Sequence, residues 1–368
     1  MKPHVKIMSG ILSLAFAFLA SHANAKVNCN VIINSLPYVI NSGHQTYCLG
    51  QNLTYNATLD TNILGQYTIF DPANNWTAFP NINFTAAIVV AAPNVILDLN
   101  NHTLTGTFLV PNRVAVGVYA NDASNFKLQN GIIRGFDTGT YITSPNYALV
   151  NKITFDKTKL TAILSFAPQK NSVTNNTVTN FSSVNRWPLA PVAIMEINGA
   201  SNNNDLITIT NNSIAKSVGN SADPTPDDAN LVWGTIGIRV GSGKGSVDVS
   251  SNILTNITAK NGVAAYLYFT NGSQITIRKN KFAFPVNSPM SSLQNIAVLQ
   301  SGSKTTKADS NSFSGFHTQF YTFNTGTPLI FSNNVFNIYR INGNYPPLFY
   351  NYTKPSPVDA GGNIIIRN

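Results

Sequence analysis

The chain is poor in charge: only 10% of its 368 residues are Asp, Glu, Lys or Arg, and glutamate occurs once, at Glu196. It has no dense cluster of Lys and Arg, which excludes nucleic acid as the partner. Beyond the first 25 residues no segment is apolar enough to cross a bilayer, so no transmembrane anchor is expected in the mature chain. Cysteine is limited to Cys29 and Cys48, with no His/Cys cluster beside them. That sets aside a thiolate metal site or catalytic thiol and predicts one disulfide formed in an oxidising compartment. After residue 25 the histidines are His44, His102 and His317. Long helical periodicity is nearly absent, which sets aside a strand-and-helix solenoid.

What is present begins with an export signal. Lys2 and Lys6 precede an apolar core from Ile11 to Ala20, and Ala23-Asn24-Ala25 gives the small-x-small pattern read by signal peptidase. Residues 1–25 are expected to be a secretory signal peptide, with an uncleaved anchor as the alternative. Residues 26–368 are then a secreted, monomeric mature chain. It carries 21 basic and 14 acidic residues, a net charge of +7. That mild cationic excess suits an acidic polysaccharide as partner, although it also serves solubility.

Asparagine is abundant, with 51 residues, and it recurs in a pattern of short β-branched strand, Asn, short strand. Examples are Val95-Ile-Leu-Asp-Leu-Asn-Asn101, Val173-Thr-Asn-Asn176-Thr-Val and Ile275-Thr-Ile-Arg-Lys-Asn280-Lys-Phe. Taking Asn101, Asn130, Asn151, Asn176, Asn212, Asn252, Asn280, Asn311 and Asn334 as corners, the spacings are 29, 21, 25, 36, 40, 28, 31 and 23 residues. A unit of this size signals a solenoid, and its apolar alternation makes the unit strand rather than helix. Asn tolerates left-handed backbone and, stacked on its neighbours, can bond the coils above and below. The predicted fold is all-β, a parallel β-helix solenoid, on the order of 50 Å long for nine coils. An antiparallel sandwich shares the strand period but does not account for the Asn. Residues 26–92, with the disulfide, are expected to form an N-terminal cap, residues 93–340 the coils, and residues 341–368 a C-terminal cap.

Val95 to Gly106 (Val-Ile-Leu-Asp-Leu-Asn-Asn-His-Thr-Leu-Thr-Gly) resembles the first-coil signature of secreted bacterial right-handed parallel β-helix proteins, the pectin and pectate lyase-like superfamily. Asn34-Ser-Leu-Pro-Tyr-Val-Ile and Tyr47-Cys-Leu are similar to the lead-in of the same proteins. The resemblance implies a right-handed helix and, in general terms, action on polysaccharide. It does not transfer catalytic residues: the polygalacturonase Gly-His-Gly is absent. Asp223-Pro-Thr-Pro-Asp227-Asp228 is only loosely similar to the Asp-Pro-His-Asp of alginate epimerases, since it lacks the His.

Aligning the small-residue turns that precede the Asn units stacks Glu196, Arg239 and Tyr268 outward on consecutive coils, with Met195, Ile238 and Leu267 inward. The two longest spacings flank this column, and their loops carry Arg186, Trp187, Asp223, Asp227, Asp228 and Trp233. Long loops on a rigid scaffold concentrate function. The expected site is therefore a carbohydrate cleft. Arg239, Glu196 and Tyr268 are its catalytic candidates, for elimination or epimerisation of a uronate. Arg186, Trp187, Trp233 and Tyr266 are the substrate-binding candidates, and Lys260 is a further candidate base. Asp223, Asp227 and Asp228 are hard-oxygen ligands suited to calcium. Hydrolysis would instead pair Glu196 with one of those aspartates. Two alternatives stand beside the cleft. Glu196 and Arg239 can be a structural ion pair worth roughly 0.2–1 kcal/mol, and the whole chain can be a non-catalytic adhesion rod.

Overall fold

A short apolar strand that meets a left-handed residue cannot run on; it must turn, and its buried amides then need partners on the coils above and below. The structure, a computed structural model, shows how this chain meets that demand. It describes residues 28–67, 70–71, 76–77, 82–107, 113–182, 190–199, 202, 204–219, 223–224, 232–259, 262–270, 274–285, 295–302, 305–323, 329–340, 344–350 and 356–368. Among these there is no helix.

The architecture is the expected right-handed parallel β-helix. Each coil contributes a strand to a first face, then a second, then a third. One such coil is Val192–Gly199, Leu206–Thr210 and Ser213–Gly219, after which the chain returns to the first face with Val232–Ser242. Strands stack in parallel register on all three faces, as in Thr161–Phe166 on Val192–Gly199 and Lys170–Thr174 on Leu206–Thr210. The antiparallel exceptions on the first face are Gly65–Tyr67 against Ile82–Val90 and Asp223–Pro224 against Val232–Ser242. The strands Phe126–Arg134 and Tyr147–Asp156 run through the corner between the second and third faces without a break.

That corner is built from two adjacent columns. Asn101, Asn130, Lys152, Asn175, Asn211, Ser251, Lys279, Ser310 and Asn333 all adopt left-handed backbone, with φ of 54–61°. The residue after each of the last six is Asn, and these Asn form a buried ladder through Asn176, Asn212, Asn252, Asn280, Asn311 and Asn334 to Asn363. Along it, each side-chain oxygen accepts the backbone N–H and the Nδ2 of the preceding Asn at 2.9–3.1 Å. Each Nδ2 also donates to a carbonyl one coil back, as Asn212 does to Val173 and Asn252 to Ile209, both at 2.8 Å. The expected corner residues therefore divide. Asn101 and Asn130 take the left-handed position, Asn151 precedes it, and Asn176 to Asn334 follow it. The amide ladder, not a left-handed preference of those later residues, is why they must be Asn.

The interior is apolar, and on the third face it includes stacked phenylalanines: Phe282 on Phe313 at 5.1 Å and Phe313 on Phe336 at 5.2 Å between centroids. Parallel stacking extends into both segments expected as caps. Val31–Ile33 pairs Thr46–Leu49, Tyr38–Ile40 pairs Ile82–Val90, and Val335–Ile338 pairs Ile364–Arg367. Cys29 and Cys48 form the predicted disulfide, with Cα atoms 5.7 Å apart.

Candidate functional site

A strand's alternation fixes which side chains meet, and a slip of one residue exchanges the two faces of the sheet. On the first face the observed register pairs Leu164 with Met195, Met195 with Arg239, Arg239 with Tyr268, and Tyr268 with Leu299. Glu196 belongs to the neighbouring column, between Ser165 and Val240. Arg239 and Tyr268 thus share the outer side of the sheet, while Glu196 points into the rod. The expected Glu196–Arg239–Tyr268 column does not form, and neither does a Glu196–Arg239 ion pair. The slip has an identifiable source. Gly117, Gly139, Ala162, Ala193 and Gly237 occupy equivalent places inside the strands, where Gly237 leaves no room for a Cβ against the Tyr266 carbonyl. Matching Ala162 and Ala193 to Val116 and Ile236, rather than to Gly117 and Gly237, displaces two coils by one residue and turns Met195 inward in error.

The outer side of the first face is largely apolar and mostly buried, with Arg239 its charged member. Its column includes Tyr119, Tyr141, Leu164, Met195, Arg239, Tyr268, Leu299 and Tyr321. Toward the N-terminal end Tyr141 meets Tyr67 at 5.2 Å and Tyr119 at 5.3 Å; toward the other end Tyr321 stacks on Tyr350 at 5.0 Å. In the middle, the Arg239 guanidinium carbon lies 5.1 Å from the centre of the Tyr268 ring. Arg239 is 6% exposed and Tyr268 1%. Such cation–ring contacts strengthen as water is excluded.

Tyr266 is corrected from a substrate contact to a core residue. It is wholly buried in the interior, its hydroxyl donates to the Ala283 carbonyl at 2.8 Å, and it accepts the Ile257 N–H at 3.2 Å. Burial drives its pKa upward, so the phenol keeps its proton and cannot serve as a base. Asp223 and Trp233 are brought into register by their backbones, facing each other across the antiparallel pair. Arg186, Trp187, Asp227, Asp228 and Lys260 lie outside the described residues.

The carboxyl group of Glu196 is held by residues that the sequence reading did not single out. Asn171 Nδ2 lies 2.8 and 2.9 Å from its two oxygens, and Ser165 Oγ lies 3.2 Å from Oε1. A signal for Asn171 exists in its register: it is a polar residue between Ala148 and Ile207 in an inward column.

The second face differs from the first in its outer side, which is polar and open. Lys170, Gln274, Arg278 and Lys307 are exposed there, and Ser172, Thr174, Thr208, Thr210, Thr276 and Thr305 are partly so. Gln274, Thr276, Thr305 and Lys307, with Ile275 beneath, line a shallow groove of about 240 Å³. Beside it Arg278 pairs with Asp248 at 2.8 Å. The alternating polar positions of the Asn units carried this signal, although in sequence they read only as the solvent side of a strand.

Among the described residues no group of three or more His, Cys, Asp or Glu could hold a metal ion, and no helix is long and apolar enough to cross a membrane. No protein-family model matches the chain, and no curated protein is significantly similar to it. Among solved structures, a GH136 lacto-N-biosidase from Eubacterium ramulus superposes with a TM-score of 0.46 and 12% identity over 92% of this chain and 61% of that one. The native form of the same enzyme gives 0.45 and 11%. A periplasmic alginate epimerase, AlgG, gives 0.34 and 9% over 88% of this chain and 84% of that one. This chain thus spans about three fifths of the lacto-N-biosidase.

Proposed function

We propose that this chain is an exported carbohydrate-binding β-helix that holds an extended acidic polysaccharide along its open second face. The observation that carries the reading is the groove of Gln274, Thr276, Thr305 and Lys307 on a face whose outward side chains remain accessible. Adjacent coils are spaced by about 4.8 Å, comparable with the length of one sugar ring. A polymer lying along the rod would therefore meet hydroxyl, amide and ammonium groups at nearly one set per residue. Lys307 supplies charge for a uronate carboxylate, while Gln274 and the threonines supply bonds to sugar hydroxyls.

The test is binding of the mature protein to alginate, polygalacturonate and a neutral glucan at two salt concentrations. Binding to the acidic polymers, weakened by salt, is expected. Lys307→Ala should weaken it by roughly 2–5-fold, the scale of one exposed charged contact. Absence of binding to any acidic polymer, or binding indifferent to Lys307→Ala and Gln274→Ala together, overturns the reading.

A second reading places chemistry on the first face, favoured by the Arg239–Tyr268 pair. There Arg239 would neutralise a uronate carboxylate while a base removes the adjacent proton, and the bond to the leaving sugar oxygen would break to give an unsaturated product. The burial of Arg239 ranks this reading below binding on the open face. The same polymers, with and without calcium, decide it through the ultraviolet absorbance of the unsaturated uronate. The calcium arm also tests Asp223, Asp227 and Asp228 as ligands.

A further inference from the structure

Glu196 takes no part in the binding face, yet it is the sole glutamate of the chain and is wholly buried inside the rod. Its inward column runs through Ile142, Ser165, Glu196, Val240 and Phe269. Across the interior, Asn171 reaches it from the second face, so the contact joins two faces of successive coils. Asn171 Nδ2 is also 2.8 Å from Ser165 Oγ. Ser165 Oγ–H and the two hydrogens of Asn171 Nδ2 thus tie the carboxyl group into one small cluster of neutral donors.

Among the described residues, charged side chains on the surrounding elements do not answer the carboxyl group. Lys170 and Lys216 are exposed, and Arg239 lies on the opposite side of its sheet over Tyr268. Asp156 is bonded to Arg134 and Asn180, and Asp205 to Asn202. An unpaired carboxylate in an apolar interior is costly, and the group responds by holding its proton. Burial, opposed by the bonds from Asn171 and Ser165, pushes the Glu196 pKa up to about 8.

We propose that Ser165, Asn171 and Glu196 form a proton-dependent latch between the first and second faces, which supports the packed interior while the Glu196 carboxyl group holds its proton and works against it once the carboxylate must stay buried without a counter-charge. The folded state binds the proton more tightly than the unfolded chain does. The latch's stabilisation is therefore complete below the ordinary glutamate range and is lost as pH rises toward and through about 8.

The composition makes the test direct. In protein labelled with carbon-13 glutamate, Glu196 gives the only glutamate side-chain carboxyl resonance, and its titration midpoint in the wild-type protein should lie well above the ordinary value of about 4.3. The melting temperature of the wild type should fall by several degrees between about pH 6 and about pH 9, while that of Glu196→Gln should stay nearly level across the same window. An ordinary midpoint overturns the proposal, as do parallel melting profiles for the two proteins. If Glu196→Gln fails to fold, the wild-type titration decides alone.

Discussion

From Asn176 onward the position after each left-handed corner residue between the second and third faces is Asn, whereas on the three coils before it that position holds His102, Gly131 and Ile153. The two halves of the rod are held together by different means. The later half uses the amide ladder. The earlier half relies on the Cys29–Cys48 disulfide, on Asp98 accepting from Gln129 and Asn130 at 2.8 Å, and on the Tyr67, Phe84, Tyr119 and Tyr141 cluster over the first face. Gly131, one coil beyond Ile153, bars the ladder from running further toward the N-terminus: any Cβ there would run into the side chain of Leu99.

The sharpest way to break this contrast is Asn252→Ala. It removes an acceptor for two donors of Asn212 and a donor to Ile209 and Asn280, leaving four buried groups short of a partner. Urea denaturation should show a loss of about 3–5 kcal/mol, with hydrogen exchange rising first in residues 206–283. Removing the disulfide through Cys29→Ser with Cys48→Ser acts on the other half. It should cost about 3 kcal/mol, the scale expected for a loop of this size, and the increase in exchange should centre on residues 28–55. The mildest test tries to lengthen the ladder. The Ile153 N–H already donates to Asn176 Oδ1 at 3.0 Å, in the way ladder Asn do, so Ile153→Asn should change stability by only about 1 kcal/mol. Asn at Ile133, away from the ladder, is the control and should cost several times more.

These elements also show where sequence reasoning succeeds. The spacings 36, 40, 28, 31 and 23 that separate Asn176, Asn212, Asn252, Asn280, Asn311 and Asn334 are the steps of the observed ladder, because a buried amide column permits no substitute. The next rung, Asn363, lies in the segment read as a cap. The first face was less legible. Its strands carry small residues at a crowded inward place and Val, Ile or Thr just before it, and either can be taken as the start of the unit. The interior hydrogen bonds of Glu196 and Tyr266 were hidden for a related reason. Alternation separates two sides of a sheet, but it does not say which side is the core when both are largely apolar. The open second face was visible as alternation alone, since a groove depends on neighbouring coils rather than on one strand.

The ladder has one more consequence, for the freedom of this chain to change. Its rungs are joined through space, and the connections between them vary widely in length: Thr179 to Val192 and Gly219 to Val232 on two coils, but only Ala259 to Val263 on the next. The axial rise per coil is set at the amides, so chain can be inserted between the third and first faces without disturbing the stack. The molecule is in this sense modular: its spine resists almost any replacement, while its third-to-first connections can accept new length, and new chemistry, one coil at a time.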